Sequence, residues 1–518
     1  MLKKTFTGLL LLSGLWAGSC KDSDEEVQID VKNIQVTGLE EGAEVWNTAE
    51  LSVTAENQEG IQQIDFYVGD ESIASDKTAP YEFTWNTREY EDGEYTVKMV
   101  VVTTGGKTVE KTLTVQVKNT LLTVTMDDNY LREGETCYVV LSDTLGKVLS
   151  YQKIGDATSY TFAASEDYEG NVFDLNVVAF FTKDKAEEYD VVNHIASYVD
   201  VRRGSDWHLF HTFRWLEGVE DWLFSDSSEK TLEFENIPAQ EDFESIYFSS
   251  AGEDTYHKFE NHQDLSNFES FRQSDSWDGV LVQIKKPDGL KYRFFDGMTS
   301  QSVNTLDLNQ VNLNTEEKTF VVNVPESIDY YHMDLYGYKT GKEESQKYAL
   351  AVGSIQTPEG FQPVYYYPEG VFENFATRTH HEFENGSNTN FLPGMEPSFD
   401  LIEGVDYSIE QKSFGEITLK VQGELDFGLF LSGIINGEEV CARIIFAPKS
   451  NRTFYPIDFP EEIQSKIPKS GDLTSEDVAV YDFLAIEGYE EALKFLSNPV
   501  LEASKLKNKY YREVKYWE

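Results

Sequence analysis

Eight histidines and 92 aspartates and glutamates are the groups with most chemistry to offer in this 518-residue chain. His208 and His211 stand three apart in DWHLFHTFRWL, a separation that sets two imidazoles on one side of a helix. The Phe, Trp and Thr around them favour a strand, where an odd separation points side chains to opposite faces. Adjacent His380 and His381 diverge for the same reason, so no transition-metal site is expected. Two acidic loops, Asp127-Asp128-Asn129 and Asp275-Ser276-Trp277-Asp278-Gly279, offer the oxygen ligands that calcium takes, though without EF-hand spacing. Structural calcium is therefore the one ion the sequence leaves room for, and no other cofactor is expected.

Hydrolysis of a glycoside needs two carboxylates at a set separation, and 92 acidic residues single out no pair. Gly-x-Ser-x-Gly, His-Glu-x-x-His and phosphate-cradling loops are all missing from the sequence. No catalytic residue is named, and the chain is not expected to be an enzyme. Aromatic rings are the remaining signal, because a ring held on a sheet covers the apolar face of a sugar at little entropic cost. Trp222 in EDWLF, Trp277 in SDSWDG and Tyr365-Tyr366-Tyr367 before Pro368 stand beside turn residues, where rings can leave the core. These five are the candidate ligand-binding residues, each weighed against ordinary core packing.

The elements that must hold them are short and alternating. ELSVTA, IQQIDFYV, YEFTW, YTVKMVVV and KTLTVQV follow one another between turn clusters such as AENQEG, EDG and TTGG, the pattern of antiparallel sandwiches. Hydrophobic residues at 40% and aromatics at 14% are too many for a disordered acidic chain. The formal net charge of −49 repels nucleic acid and other polyanions, and no aromatic–basic alternation suggests a nucleic-acid groove. Cys137 and Cys441 sit in apolar, strand-like runs far apart in the chain. They are expected as two separately buried thiols in different domains.

The first 26 residues carry the strongest location signal. Lys3 and Lys4 precede an apolar run from Phe6 to Trp16, then Ala17, Gly18 and Ser19 stand before Cys20. The run is shorter than the ~20 residues a spanning helix needs, and the order is that of a secretory leader. A cysteine at the cleavage point resembles the lipobox of bacterial lipoproteins, in which the thiol is acylated. Lys21-Asp22-Ser23-Asp24-Glu25-Glu26 resembles the acidic export tag of Bacteroidota surface lipoproteins. The resemblance implies an outer-membrane location, held by acyl chains on Cys20 and facing the cell exterior. It also implies a possible glycan ligand and an outer-membrane transporter as possible partner.

From residue 31 to 119, IDFYVGDESIASDKTAPYEFTWNT followed by EDGEYTVKMVVVTTGGKTV is similar to the bacterial Ig-like domains found beside carbohydrate-active and surface proteins. The likeness rests on the FYV strand, Pro80-Tyr81 before Trp85, and Asp92-Gly93-x-Tyr95. It departs at Val101-Val102-Thr103, where relatives often carry an aspartate. In that family the module is usually a spacer, and Trp85 is expected in its core.

The whole chain is expected to be mainly β: tandem antiparallel sandwich domains, the first Ig-like, with short helices near the C-terminus. The expected divisions are a signal peptide at 1–19, a lipidated tether at 20–30, the Ig-like domain at 31–119, and β units at 120–203, 204–314 and 315–470. Residues 471–518 form the last segment, where LTSEDVAVYDFLAIEGYEEALKFLSNP has helical spacing with Thr474 or Ser475 as N-cap and Asn498-Pro499 as stop. Asp143-Thr144-Leu145 resembles a short O-glycosylation motif of exported Bacteroidota proteins, but a plain turn is preferred. The chain reads first as a non-catalytic surface lipoprotein presenting a glycan-binding face. The alternatives are a protein-interaction subunit or adhesin associated with an outer-membrane transporter, and a tethered hydrolase.

Overall fold

The computed structural model describes residues 31–516 except 128–129, 165–167, 190–191, 210–226, 251–255, 275–278, 288, 301, 316, 322–323, 326–327, 329, 340–346, 357–363, 369, 438 and 498–510. The fold is mainly β, with sandwich-like packing and few short helices. Two compact units divide between Asn119 and Thr120.

In the first unit, the strands Lys32–Thr37, Thr48–Glu56 and Tyr81–Asn86 form one sheet. Glu44–Val45, Thr108–Val117, Gly93–Thr103, Ile61–Val68 and Glu71–Asp76 form the other, in that order. Alternation supplies the core: Leu51 and Val53, Phe83 and Trp85, Ile64 and Phe66, and Val97 and Met99 all point inward, into a single cluster. Trp85 is 2% exposed and meets Tyr90 edge-on with ring centroids 5.3 Å apart, so it anchors the core as expected. Asn119 closes this unit. Its side chain donates to the carbonyls of Thr87 and Tyr90 and accepts from the Thr87 hydroxyl.

The second unit is built on a sheet of twelve strands. In order across it they are Val148–Lys153, Glu135–Ser142, Val172–Phe181, Asn193–Arg202, Glu439–Ala447, Phe427–Asn436, Asp472–Phe483, Tyr511–Tyr516, Gly386–Pro393, Phe372–Phe383, Tyr330–Lys339 and Lys347–Gln356. Every pairing is antiparallel except Asn193–Arg202 beside Glu439–Ala447, which run parallel. Both faces of the sheet are covered over much of its width, which explains the long apolar runs in its central strands. On one face, Leu122, Val124, Phe162 and Trp207 from the sheet of Ser159–Ala163, Thr120–Met126 and Ser205–Leu209 share a core with Val139, Phe427 and Phe446. On the other, Ile417, Leu419 and Val421 from the sheet of Asp406–Gln411, Ile417–Gln422 and Ser450–Phe454 pack on Ile445, Val478 and Val514. A further pair of sheets encloses Leu232, Phe248, Phe271 and Val282.

Cys137 and Cys441 are free and buried. They share the twelve-stranded sheet, contrary to the expectation of different domains. Cys137 joins the core cluster of Val139 and Leu141, while Cys441 joins that of Tyr138 and Val140, so opposite faces separate them. Burial pushes the Cys137 thiol well up and the Cys441 thiol to about 12, which keeps both protonated and inert.

The expected helix from Leu473 is corrected in its first half. Asp472–Phe483 is a strand, and the helix begins only at Tyr489, running to Ser497. Val478 and Val480 enter one core while Ala479, Tyr481 and Phe483 enter the other. A strand buried on both faces reads as a continuous apolar run, which satisfies helical spacing by accident. Asp426 holds the junction, accepting hydrogen bonds from the Phe483 N–H at 2.8 Å and the Gly488 N–H at 2.7 Å. Asn498 and Pro499 lie outside the described residues. At Asp143–Gly146 the chain makes a turn: one carboxylate oxygen of Asp143 accepts from the N–H groups of Leu145 and Lys147. Gly146 takes φ +90°, and an added Cβ there would lie 2.1 Å from the Pro456 carbonyl oxygen.

Candidate functional site

The strand Thr120–Met126 leads to Asp127, and the connection from Val148–Lys153 to Ser159–Ala163 runs beside it. The Met126 N–H donates to the Thr158 carbonyl at 3.1 Å, fixing one segment against the other. Between them lies a cleft of 490 Å³ lined by Met126, Asp127, Tyr130, Leu131 and residues 155–158. Its volume lies within the range of small-ligand sites.

Three elements aim the polar groups. Ser205–Leu209 pairs in parallel with Thr120–Met126, so His208 stands opposite Thr125. The imidazole bridges that neighbour to the cleft: Nδ1 lies 2.9 Å from Thr125 Oγ1 and Nε2 lies 2.9 Å from Asp127 Oδ1. Asp127 is thereby oriented yet stays half in solvent. Asp156 is exposed on the facing segment, beside the exposed Thr158. Tyr130 is buried, and burial pushes its hydroxyl well above the ordinary phenol range. The cleft thus combines two water-accessible carboxylates with the half-buried Leu131 and the edges of Met126 and Tyr130, both nearly buried. Such a lining accepts hydrogen bonds from hydroxyls.

Asp127, His208 and Thr125 have the order of an acid–base relay. Thr125 nevertheless lies on a strand paired on both edges, to Ser159 and to His208. Its neighbouring backbone groups are engaged in those ladders, and the relay orients Asp127.

The other histidine–carboxylate group is closed in a different sense. Asp334 is fully buried, and its Oδ2 receives Arg378 Nε at 2.7 Å and Nη2 at 2.6 Å. His332 Nε2 lies 2.8 Å from Oδ1, and the Tyr336 hydroxyl donates to Oδ2 at 3.3 Å. A buried carboxylate answered by so many donors rigidifies the sheet. His380 and His381 diverge as expected. His380 meets Thr389 Oγ1 at 2.9 Å, whereas His381 packs between Phe383 and Phe399. Burial pushes both imidazoles below the usual range. Among the described residues, no three His, Cys, Asp or Glu side chains converge to hold a metal ion.

Of the residues singled out from sequence, Cys20, Trp222, Trp277 and His211 lie outside the described residues, as do Asp128, Asn129 and the acidic loop 275–278. Tyr365, Tyr366 and Tyr367 lie on the strand Val364–Pro368, in register with Phe320, Thr319 and Lys318. Asp127, noted from sequence as a calcium-loop acid, is the one that reaches the cleft. Tyr130, Asp156 and Thr158 are not legible in the sequence, since no spacing links them.

A bacterial Ig domain family matches residues 33–99. No curated protein matches the chain. Among solved structures, the chain is similar to fibronectin(III)-like modules of Clostridium thermocellum CbhA, at 26% identity and a TM-score of 0.15, covering 16% of this chain and 94% of that one. It is similar to SGBP-B of the Bacteroides ovatus mixed-linkage glucan utilization locus, in complex with a mixed-linkage heptasaccharide, at 11% identity and a TM-score of 0.16, covering 66% of this chain and 92% of that one. It is also similar to a tetra-tandem repeat in the extending region of a large adhesion protein, at 8% identity and a TM-score of 0.14, covering 84% and 91%.

Proposed function

We propose that this chain is a non-catalytic cell-surface lipoprotein that binds a neutral glycan. Acyl chains on Cys20 hold it at the outer membrane, the bacterial Ig domain acts as a spacer, and the second unit presents the binding cleft. The observation that carries this reading is the cleft itself, where the exposed Asp127 and Asp156 stand beside the half-buried Leu131 and the edge of the buried Tyr130. Carboxylates accept hydrogen bonds from sugar hydroxyls, and charge-assisted bonds of that kind contribute ~1.5–3 kcal/mol each. An acidic polymer would meet both the local carboxylates and the overall negative field, so a neutral chain is favoured. Retardation of the purified protein on native gels containing neutral glycans tests the proposal; migration unchanged across a broad panel counts against it.

A second reading follows from the Thr125–His208–Asp127 relay, which has the order of a hydrolase. Release of reducing sugar ends from a polymer would favour it. The paired backbone around Thr125 argues for binding instead.

A further inference from the structure

On the face of the twelve-stranded sheet that carries Cys441, the strand Glu439–Ala447 sends Arg443 into a second cavity, of 640 Å³. The Asp143–Gly146 turn closes against the backbone at its edge, where the Asp458 N–H donates to the Gly146 carbonyl at 2.9 Å. The cavity walls are apolar, with Ile195, Phe414, Ile434, Ile457 and Ile467 among them. Arg443 is 5% exposed. Its Nη1 donates to the Gly415 carbonyl at 3.1 Å, but Nε has no partner among the described residues. Its cross-strand neighbour Ser432, also buried, has a hydroxyl without a partner as well.

These facts define an occupant. A guanidinium offers five donors in a planar fork, and here a single carbonyl answers it. Burial pushes its acidity to about 10, with Asp174 opposing and Arg452 adding to that shift, so it stays charged at neutral pH. A buried charge with so little hydrogen bonding is costly, and a carboxylate delivered to the part of the guanidinium that lines the cavity would offset that cost. Lys412 and Lys469 line the same cavity in a chain of net charge −49. Lys412 is shared with Glu416 at 3.2 Å, and Lys469 is exposed. Charge therefore selects an anion, and the isoleucine and phenylalanine walls select a hydrocarbon body.

We propose that this cavity binds a small organic carboxylate with an apolar body, its head on Arg443 and its carbon skeleton against Ile434 and Phe414. The site is independent of the glycan cleft and takes the opposite chemistry.

The test is calorimetric titration of the full exported chain with 4-phenylbutyrate and with 4-phenyl-1-butanol, which share a body and differ in the head. The acid is expected to bind at least about tenfold more tightly than the alcohol, and Arg443→Met is expected to erase that preference. Leu473 lines the cavity and is 41% exposed, so Leu473→Trp keeps the fold and should weaken both probes by filling space. Equal affinity for acid and alcohol would overturn the proposal, leaving an apolar hollow without charge recognition. Absence of binding by either probe at millimolar concentration would overturn it too, as would undiminished acid binding by a folded Leu473→Trp protein.

Discussion

Arg452 Nη2 lies 2.8 Å from Asp174 Oδ2, tying the edge of a three-stranded sheet to the face of the twelve-stranded one. The same guanidinium reaches Asp200 Oδ1 at 3.0 Å through Nη1, and the Asp200 N–H donates to Asp174. Burial pushes Asp174 up to about 6, while Arg452 and that N–H hold it back.

The native state therefore takes up a proton near pH 6, where the unfolded chain waits until about 3.8. A raised folded value gives stability that is fully present below the unfolded value and lost as pH rises through the folded one. Between pH 4 and 6 this group should contribute up to about 3 kcal/mol. Wild type should thus gain stability relative to Asp174→Asn as pH falls across that window, and chemical unfolding of the two proteins at pH 4.5 and 7.5 measures it. A difference that does not change with pH would show that Asp174 titrates as it does in the unfolded chain.

Replacing Asp127 and Asp156 together by alanine should reduce retardation by a neutral glycan by at least about tenfold in affinity. Both side chains are exposed, so the thermal midpoint should hardly move. Full binding by the double variant would locate the glycan elsewhere on the chain.

Thr125→Val keeps the shape of a β-branched strand residue and removes the hydroxyl that meets His208. Glycan binding should survive this change, and neither protein should release reducing ends from polymer. Product formed by wild type and lost in the variant would transfer the weight to the catalytic alternative.

Trp85 fills the centre of the first unit, and truncation to alanine should cost that unit ~3–5 kcal/mol. Denaturant unfolding of the whole chain, followed by probes in each unit, should show the first transition shifting and the second staying in place.

Cys20→Ala should move the protein from the membrane to the soluble fraction, because acyl chains contribute ~0.8 kcal/mol for each buried methylene. Retention of the variant on membranes would remove the lipid anchor from the account.

The sequence by itself determined the fold class and the Ig-like first unit. Alternation along IQQIDFYV and YEFTW is a local property of neighbouring residues, and it fixes which side chains face a core. Burial of Trp85 and the divergence of His380 from His381 follow from the same periodicity. Tertiary structure alone decided which strands became neighbours. Asn193–Arg202 lies parallel beside Glu439–Ala447, a pairing between segments far apart in the chain that no local pattern encodes. The strand Asp472–Phe483 carries helical spacing for a related reason, since cover on both faces erases the alternation that distinguishes a strand from a helix. Asp127 meets His208, and Arg443 meets its cavity, only because separate strands converge. Chemistry assembled across a sheet depends on register between strands, and register is a property of the folded whole.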